Sequence, residues 1–121
     1  MLRNFLAVGF GGAIGAMLRY LVTVLGTAIH WSGNLSTYAV NIVGSFVMGL
    51  LVGLCPQGTW LLLATTGICG GFTTFSTFSL QSVTLLQQGK WGPAMLYILG
   101  TLVSCIITAW LGCLVAQKIN G

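Results

Sequence analysis

The 121-residue chain contains no aspartate and no glutamate. Without a side-chain carboxylate there is no acid–base pair for glycoside hydrolysis, no third member for a Ser/His/Asp triad, no oxygen cage for calcium and no embedded acid for a proton relay. Charged residues of either sign make up 3% of the sequence, against roughly 25% in an ordinary soluble domain. The four cations, Arg3, Arg19, Lys90 and Lys118, are scattered, so the net charge of +4 forms no patch for nucleic acid. The one histidine, His30, falls in an apparent loop. The four cysteines, Cys55, Cys69, Cys105 and Cys113, show no C-x-x-C pairing and read as small buried hydrophobes. Enzyme chemistry is therefore not expected.

What the chain has in quantity is apolar surface: 56% of its residues are hydrophobic, and the mean hydropathy is +1.00. A membrane span needs about 20 mainly apolar residues. Four such stretches are present, predicting one four-span membrane domain over residues 1–121 with spans at about 5–28, 35–54, 60–87 and 92–116. The apolar run after Arg3 continues well beyond a signal-peptide core and reads as a retained first span. Pro56 and Gly58 break the chain after the second span, and Trp31, Trp60 and Trp91 fall at span ends, where amphipathic rings favour the headgroup layer.

Four spans place both termini on one side, with Arg3 and Lys118 there and Lys90 on the other. Arg19 lies nearest the Lys90 side, so the cations balance two against two and the usual orientation bias vanishes. Four short helices also enclose too little protein for a private pathway. These features predict insertion in both directions and an antiparallel, dual-topology homodimer. Small residues at four-residue spacing, Gly11 with Gly15, Gly12 with Ala16, and Ser45 with Gly49 and Gly53, predict close helix contacts in lipid.

Polar residues inside the spans are costly and need partners. Arg19 continues the Gly15 face toward protein, or snorkels to the interface; a cationic vestibule follows in either case. Asn41 lies well inside the second span, as a helix-to-helix hydrogen bond or as a donor to a passing anion. The third span holds Gly70-Gly71-Phe72-Thr73-Thr74-Phe75-Ser76-Thr77-Phe78-Ser79, poor material for a continuous helix. A helix break mid-membrane is expected there, with freed carbonyls that suit a cation. Beyond it Thr74, Thr77 and Gln81 share a face, beside Phe75 and Phe78, whose rings either pack or turn positive edges to an anion. In the fourth span Tyr97, Thr101, Ser104 and Thr108 form one polar stripe, unless their hydroxyls bond back to their own helix.

The break segment, the Gly11-Gly12-Ala13-Ile14-Gly15-Ala16-Met17-Leu18-Arg19-Tyr20 stretch and the Asn41-x-x-Gly44-Ser45-Phe46-x-x-Gly49 pattern together resemble the Fluc (CrcB) family of bacterial fluoride channels across all four spans. The resemblance implies an all-α, multi-pass protein of the bacterial inner membrane that passes fluoride down its gradient. It also implies two pores per antiparallel homodimer and a structural sodium ion at the dimer centre. Carried over, it implies that Phe75 and Phe78 line the fluoride path, with Asn41 as amide donor, Ser76 and Thr77 in the same region, and Tyr97, Thr101, Ser104 and Thr108 as the adjoining polar track. The carbonyls of Gly70 and Thr73 would bind sodium, and Arg19 would stand at the vestibule. Gln81, also on this path, departs from the pattern, since family members commonly carry a glutamate there; it is either a natural neutral variant or an engineered one. Two other functions compete: a small dual-topology exporter, which would need the embedded carboxylate this chain lacks, and a non-transporting membrane assembly subunit.

Overall fold

All four apolar stretches are helical in the computed structural model, which describes residues 1–55 and 57–121. Helix α1 spans Leu2–Ala28 and α2 spans Gly33–Leu54. The third stretch comprises α3 (Thr59–Leu62), a π-helical run (Leu63–Cys69), α4 (Gly70–Phe72) and α5 (Phe75–Gln87), and α6 covers Trp91–Asn120. The segments Leu2–Ala28, Gly33–Leu54, Thr59–Gln87 and Trp91–Asn120 are each long and apolar enough to cross a membrane, at 22 to 30 residues. At 1.5 Å per residue, the shortest reaches about 33 Å, enough for a hydrocarbon layer of about 30 Å. The chain is a multi-pass membrane protein.

The first and last helices run furthest past the ends expected from hydropathy, and a hydrogen bond ties down each extension. Helix α1 begins at Leu2 rather than Phe5 because Asn4 is tied down, its Oδ1 accepting from the Thr59 hydroxyl at 2.8 Å. Helix α6 continues past Ala116 to Asn120, whose Nδ2 donates to the Gly53 carbonyl at 2.7 Å. Both ties lie at the end of the bundle that carries the termini, which also holds Arg3 and Lys118. At the opposite end, His30 takes a left-handed φ of 66° so that the Trp31 N–H closes on the Gly26 carbonyl at 2.7 Å. Ser32 then caps α2, its hydroxyl accepting from the Leu35 N–H at 3.1 Å. Pro56, expected to break the chain with Gly58, lies outside the described residues.

The helices are held by small residues. Helix α1 packs against the π-helical run and α4, and α2 packs along α6. A Cβ added at Gly15 would stand 2.7 Å from the Phe72 nitrogen, and one at Gly71 would stand 2.5 Å from the Gly12 carbonyl oxygen. Across the other interface, a Cβ at Gly112 would lie 2.8 Å from the Leu50 nitrogen, and one at Gly49 would strike the Ala109 carbonyl. Lipid tails are as apolar as leucine, so burial of large side chains gives these helices little reason to associate; close backbone contact does. Accordingly no large side chain among the described residues is fully buried, while Phe5, Phe10 and Trp110 stand exposed.

Candidate functional site

The site grows from two threonines. Gly70 and Gly71 are helical, and the chain becomes extended only at Thr73 (ψ 157°) and Thr74 (φ −148°, ψ 116°) before α5 starts at Phe75. The interruption thus lies at the β-branched pair and not at the glycines, which serve the contact with α1. Thr74 is the N-cap of α5: its hydroxyl oxygen accepts from the Thr77 N–H at 3.2 Å and donates to the Thr77 hydroxyl at 3.0 Å. Gly44 on α2 leaves the room this segment occupies, since a Cβ there would meet the Thr73 methyl group.

Interrupting the helix frees backbone groups, and their fates define the site. The Thr74 N–H, which a continuous helix would send to the Gly70 carbonyl, donates instead to Asn41 Oδ1 at 2.8 Å. Asn41 Nδ2 donates in return to the Thr74 carbonyl at 3.1 Å, so one side chain grips both polar groups of one residue. Asn41 is 8% exposed, and this grip leaves one of its N–H bonds uncommitted. Of the two roles open in the sequence, the segment-to-helix bond is the one the structure displays. Because Thr77 turns its N–H to the Thr74 hydroxyl, the Thr73 carbonyl also loses its helical donor. The Gly70 and Thr73 carbonyls are thus both without the N–H partner that a continuous helix would supply. The Gly71 carbonyl, similarly deprived of the Phe75 N–H, accepts from Arg19 Nε at 3.1 Å. Arg19 is half-buried and turned to protein, with a carbonyl as the partner that no carboxylate could supply.

Beside this segment lies a cleft of about 240 Å³. Asn41 and Ser45 of α2 border it on one side and Thr73, Thr74, Phe75 and Phe78 on another, with Thr101, Leu102, Cys105 and Ile106 of α6 closing the third. Phe78 is buried at 5% exposure, whereas Phe75 is 71% exposed. Their ring centroids are 5.5 Å apart and tilted by 50°, and Phe78 stands 5.2 Å from the Tyr97 ring. Thr101 is 4% exposed and its hydroxyl has no hydrogen-bond partner, the one buried side-chain oxygen or nitrogen so placed among the described residues. A second, wider cleft of about 360 Å³ opens toward Ser32 and Asn34 and is lined by Tyr97, whose ring stands against Phe78 of the first. Tyr97 donates to Gln81 Oε1 at 2.7 Å, which leaves the Gln81 amide nitrogen beside Gly33.

The expected stripe on α6 divides between two neighbours. Tyr97 and Thr101 reach the clefts. Ser104 instead accepts from the Tyr38 hydroxyl at 2.9 Å, and Thr108 donates to the Cys105 carbonyl at 3.1 Å and, more weakly, to the Ile42 carbonyl at 3.4 Å, so both serve the α2–α6 contact. Ser76 is exposed and lies 3.4 Å from the Thr74 hydroxyl, while Thr77 completes the cap of α5; neither lines the cleft. Cys105 and Ser45 do line it, although their sequence context suggested packing alone. Cys105 follows Thr101 by four residues, a spacing that would have placed it on this face had a thiol been counted as polar.

Comparison with known proteins decides the family. The profile described as CrcB-like protein, Camphor Resistance (CrcB), matches residues 6–113. The chain belongs to the CrcB family. The matched region begins in α1 and ends in α6, so it takes in all four spans of this CrcB chain, including Asn41, the extended threonines and the cleft. Among its curated relatives, the "Fluoride-specific ion channel FluC" of Opitutus terrae is 41% identical, with 96% of this chain and 94% of the relative covered. "Fluoride-specific ion channel FluC 1" of Listeria monocytogenes serovar 1/2a is 44% identical over 93% of this chain and 96% of its own length. The protein of the same name from Serratia proteamaculans, without the numeral, is 39% identical over 100% and 99%.

Proposed function

We propose that this CrcB chain is a fluoride-selective channel of the bacterial inner membrane that lets fluoride leave the cytoplasm down its gradient. The observation that carries this reading is the cleft beside Thr73 and Thr74, where uncommitted donors and aromatic rings meet in a chain with no negative side chain. Fluoride holds its water tightly, so a path must replace that water with donors and still let the ion go. The Thr101 hydroxyl has its hydrogen free for an anion, Asn41 has one N–H to spare, and the tilted Phe75 and Phe78 rings offer partly positive edges. The N-terminal end of α5 adds its positive dipole end beside these groups. None is a full charge, which keeps binding weak enough for release. The relatives' names agree with this choice of ion.

The path we propose enters at the Ser32 cleft, passes the Tyr97–Gln81 pair and Phe78, and reaches Phe75 and Thr101. Arg19 stands by the aqueous vestibule and at the same time anchors the Gly71 carbonyl. The third span, interrupted at Thr73 and Thr74, has this interruption within the membrane, and the chain works as an antiparallel homodimer with two pores. Balanced cations at the two ends of the bundle favour insertion both ways. The carbonyls of Gly70 and Thr73, left without their helical donors, fit a hard cation such as sodium, which would add positive field and tie two such segments together at the dimer centre.

Purified protein in liposomes loaded with fluoride tests the function directly. Fluoride-electrode recordings should show efflux once the electrical gradient is relieved, with none for chloride in parallel vesicles. Protein that assembles in the bilayer and passes no fluoride would overturn the reading.

A further inference from the structure

We propose that Cys105 is a binding site for soft, thiophilic metal ions within the cleft, and that a metal held there stops permeation. The second half of this proposal rests on the cleft being the ion path, as proposed above. Cys105 is a free, half-buried thiol on the cleft wall. The other three cysteines are placed differently. Cys69 is buried, Cys55 follows the last residue of α2, and the Cys113 backbone lies against Gly49 in the α2–α6 contact. One turn before Cys105, on the same face of α6, the buried Thr101 hydroxyl has no partner and lines the same cleft. An orphaned buried oxygen is costly, so this wall is built for an occupant. A thiol and a hydroxyl four residues apart on a helix have their Cβ atoms about 6 Å apart, close enough to face one bound group. The cleft of about 240 Å³ far exceeds the 10 to 15 Å³ or so that one water needs, so a small metal complex can enter. Thiol sulfur prefers soft metals, and no carboxylate is present to hold harder ones in competition.

With mercuric chloride the chemistry is a substitution without oxidation or reduction. The Cys105 S–H bond and one Hg–Cl bond break, an S–Hg bond forms, and a proton and a chloride ion leave to water. The S–HgCl group that remains fills the cleft next to Phe75 and Thr101.

The test uses the full chain in liposomes, with HgCl2 as the probe and two independent readouts. Mass spectrometry of the treated protein should find the mercury adduct on the Cys105 peptide. Fluoride efflux should fall to the background of empty vesicles and return on addition of excess free thiol. Cys105→Ser, with Cys105→Ala as a second version should the serine protein fail to assemble, should keep most of its own untreated efflux under the same HgCl2. Cys55→Ser, Cys69→Ala and Cys113→Ala should be blocked as fully as the unaltered chain. Absence of the Cys105 adduct, a full adduct with unchanged efflux, or equal block of the Cys105 variants would each overturn the proposal. If untreated vesicles pass no fluoride, the channel reading fails, and the adduct measurement still decides the metal site.

Discussion

Replacing Asn41 separates the anchoring of the extended segment from the chemistry of the cleft. In Asn41→Ala the Thr74 N–H and C=O lose their partners at 2.8 and 3.1 Å together. Each buried polar group left unpaired costs about 1 to 3 kcal/mol, so the variant should lose about 2 kcal/mol or more of stability. Asn41→Asp differs in kind. A carboxylate still accepts from the Thr74 N–H, and more strongly, but it faces the Thr74 carbonyl with an oxygen where a donor stood. Its stability should fall between those of asparagine and alanine. For transport the two variants should change places. A negative charge about 5 Å from a fluoride ion, at an effective dielectric of about 20, costs about 3 kcal/mol, which lowers occupancy roughly a hundredfold or more. The two assays are thermal unfolding of the detergent-purified protein and fluoride efflux from liposomes, both on the same preparations. Aspartate should be the more stable of the two variants and the poorer conductor. An alanine variant that melts with the unaltered protein would refute the anchoring of Thr74, and an aspartate variant with normal efflux would refute the proximity of Asn41 to the ion.

Phe75→Ile should cut efflux with little change in melting, because Phe75 is 71% exposed, whereas Phe78→Ile should lower both, since Phe78 is buried against Tyr97; normal efflux from both would remove the rings from the path. Gly15→Ala brings a methyl group within 2.7 Å of the Phe72 nitrogen and should cost about 1 to 3 kcal/mol, while Gly9→Ala, with open space around it, should melt as the unaltered chain does. Arg19→Lys keeps the vestibule charge and loses the Nε bond to Gly71, so efflux as low as in Arg19→Leu marks a positioning role, and full efflux marks a role for charge alone. Exchanging sodium for a large organic cation should depress efflux if the Gly70 and Thr73 carbonyls hold the ion; unchanged efflux would count against that site.

The spans were legible because hydropathy and helix length answer to the same constraint, the thickness of the bilayer. The contacts of Gly11, Gly15, Gly49 and Gly53 were legible too, since close approach in lipid leaves a four-residue signature. The partners Gly67, facing Gly11, and Gly112, facing Gly49, were harder to find, because one glycine is a mark of contact only once the facing helix is known. The interruption falls inside the expected Gly70–Ser79 segment, and which of its residues carry it again depends on the facing helix. Adjacent glycines suggest a weak helix, but Gly71 is held helical by its fit against Gly12, and the chain opens at Thr73 and Thr74, where a cap for α5 is available. On α6, Thr101 and Ser104 differ by only about 60° around the helix at 3.6 residues per turn. That small angle sends one hydroxyl to the cleft and the other to Tyr38, a distinction that depends on where α2 lies.

The same dependence governs what the missing acids do. A backbone interrupted inside an apolar span needs partners for its freed groups, and a carboxylate could have taken the Thr74 N–H as well as Asn41 does. It could not also have donated to the Thr74 carbonyl, and it would have left a negative charge on the wall of the cleft. An amide does both jobs without charge, and Arg19 supplies the third partner through Nε while keeping its own charge positive. Neutral and cationic groups thus suffice to hold the extended segment. The absence of carboxylates and the geometry of Thr73 and Thr74 are then one property: the segment can be fixed in place with no negative side chain beside the cleft proposed to carry an anion.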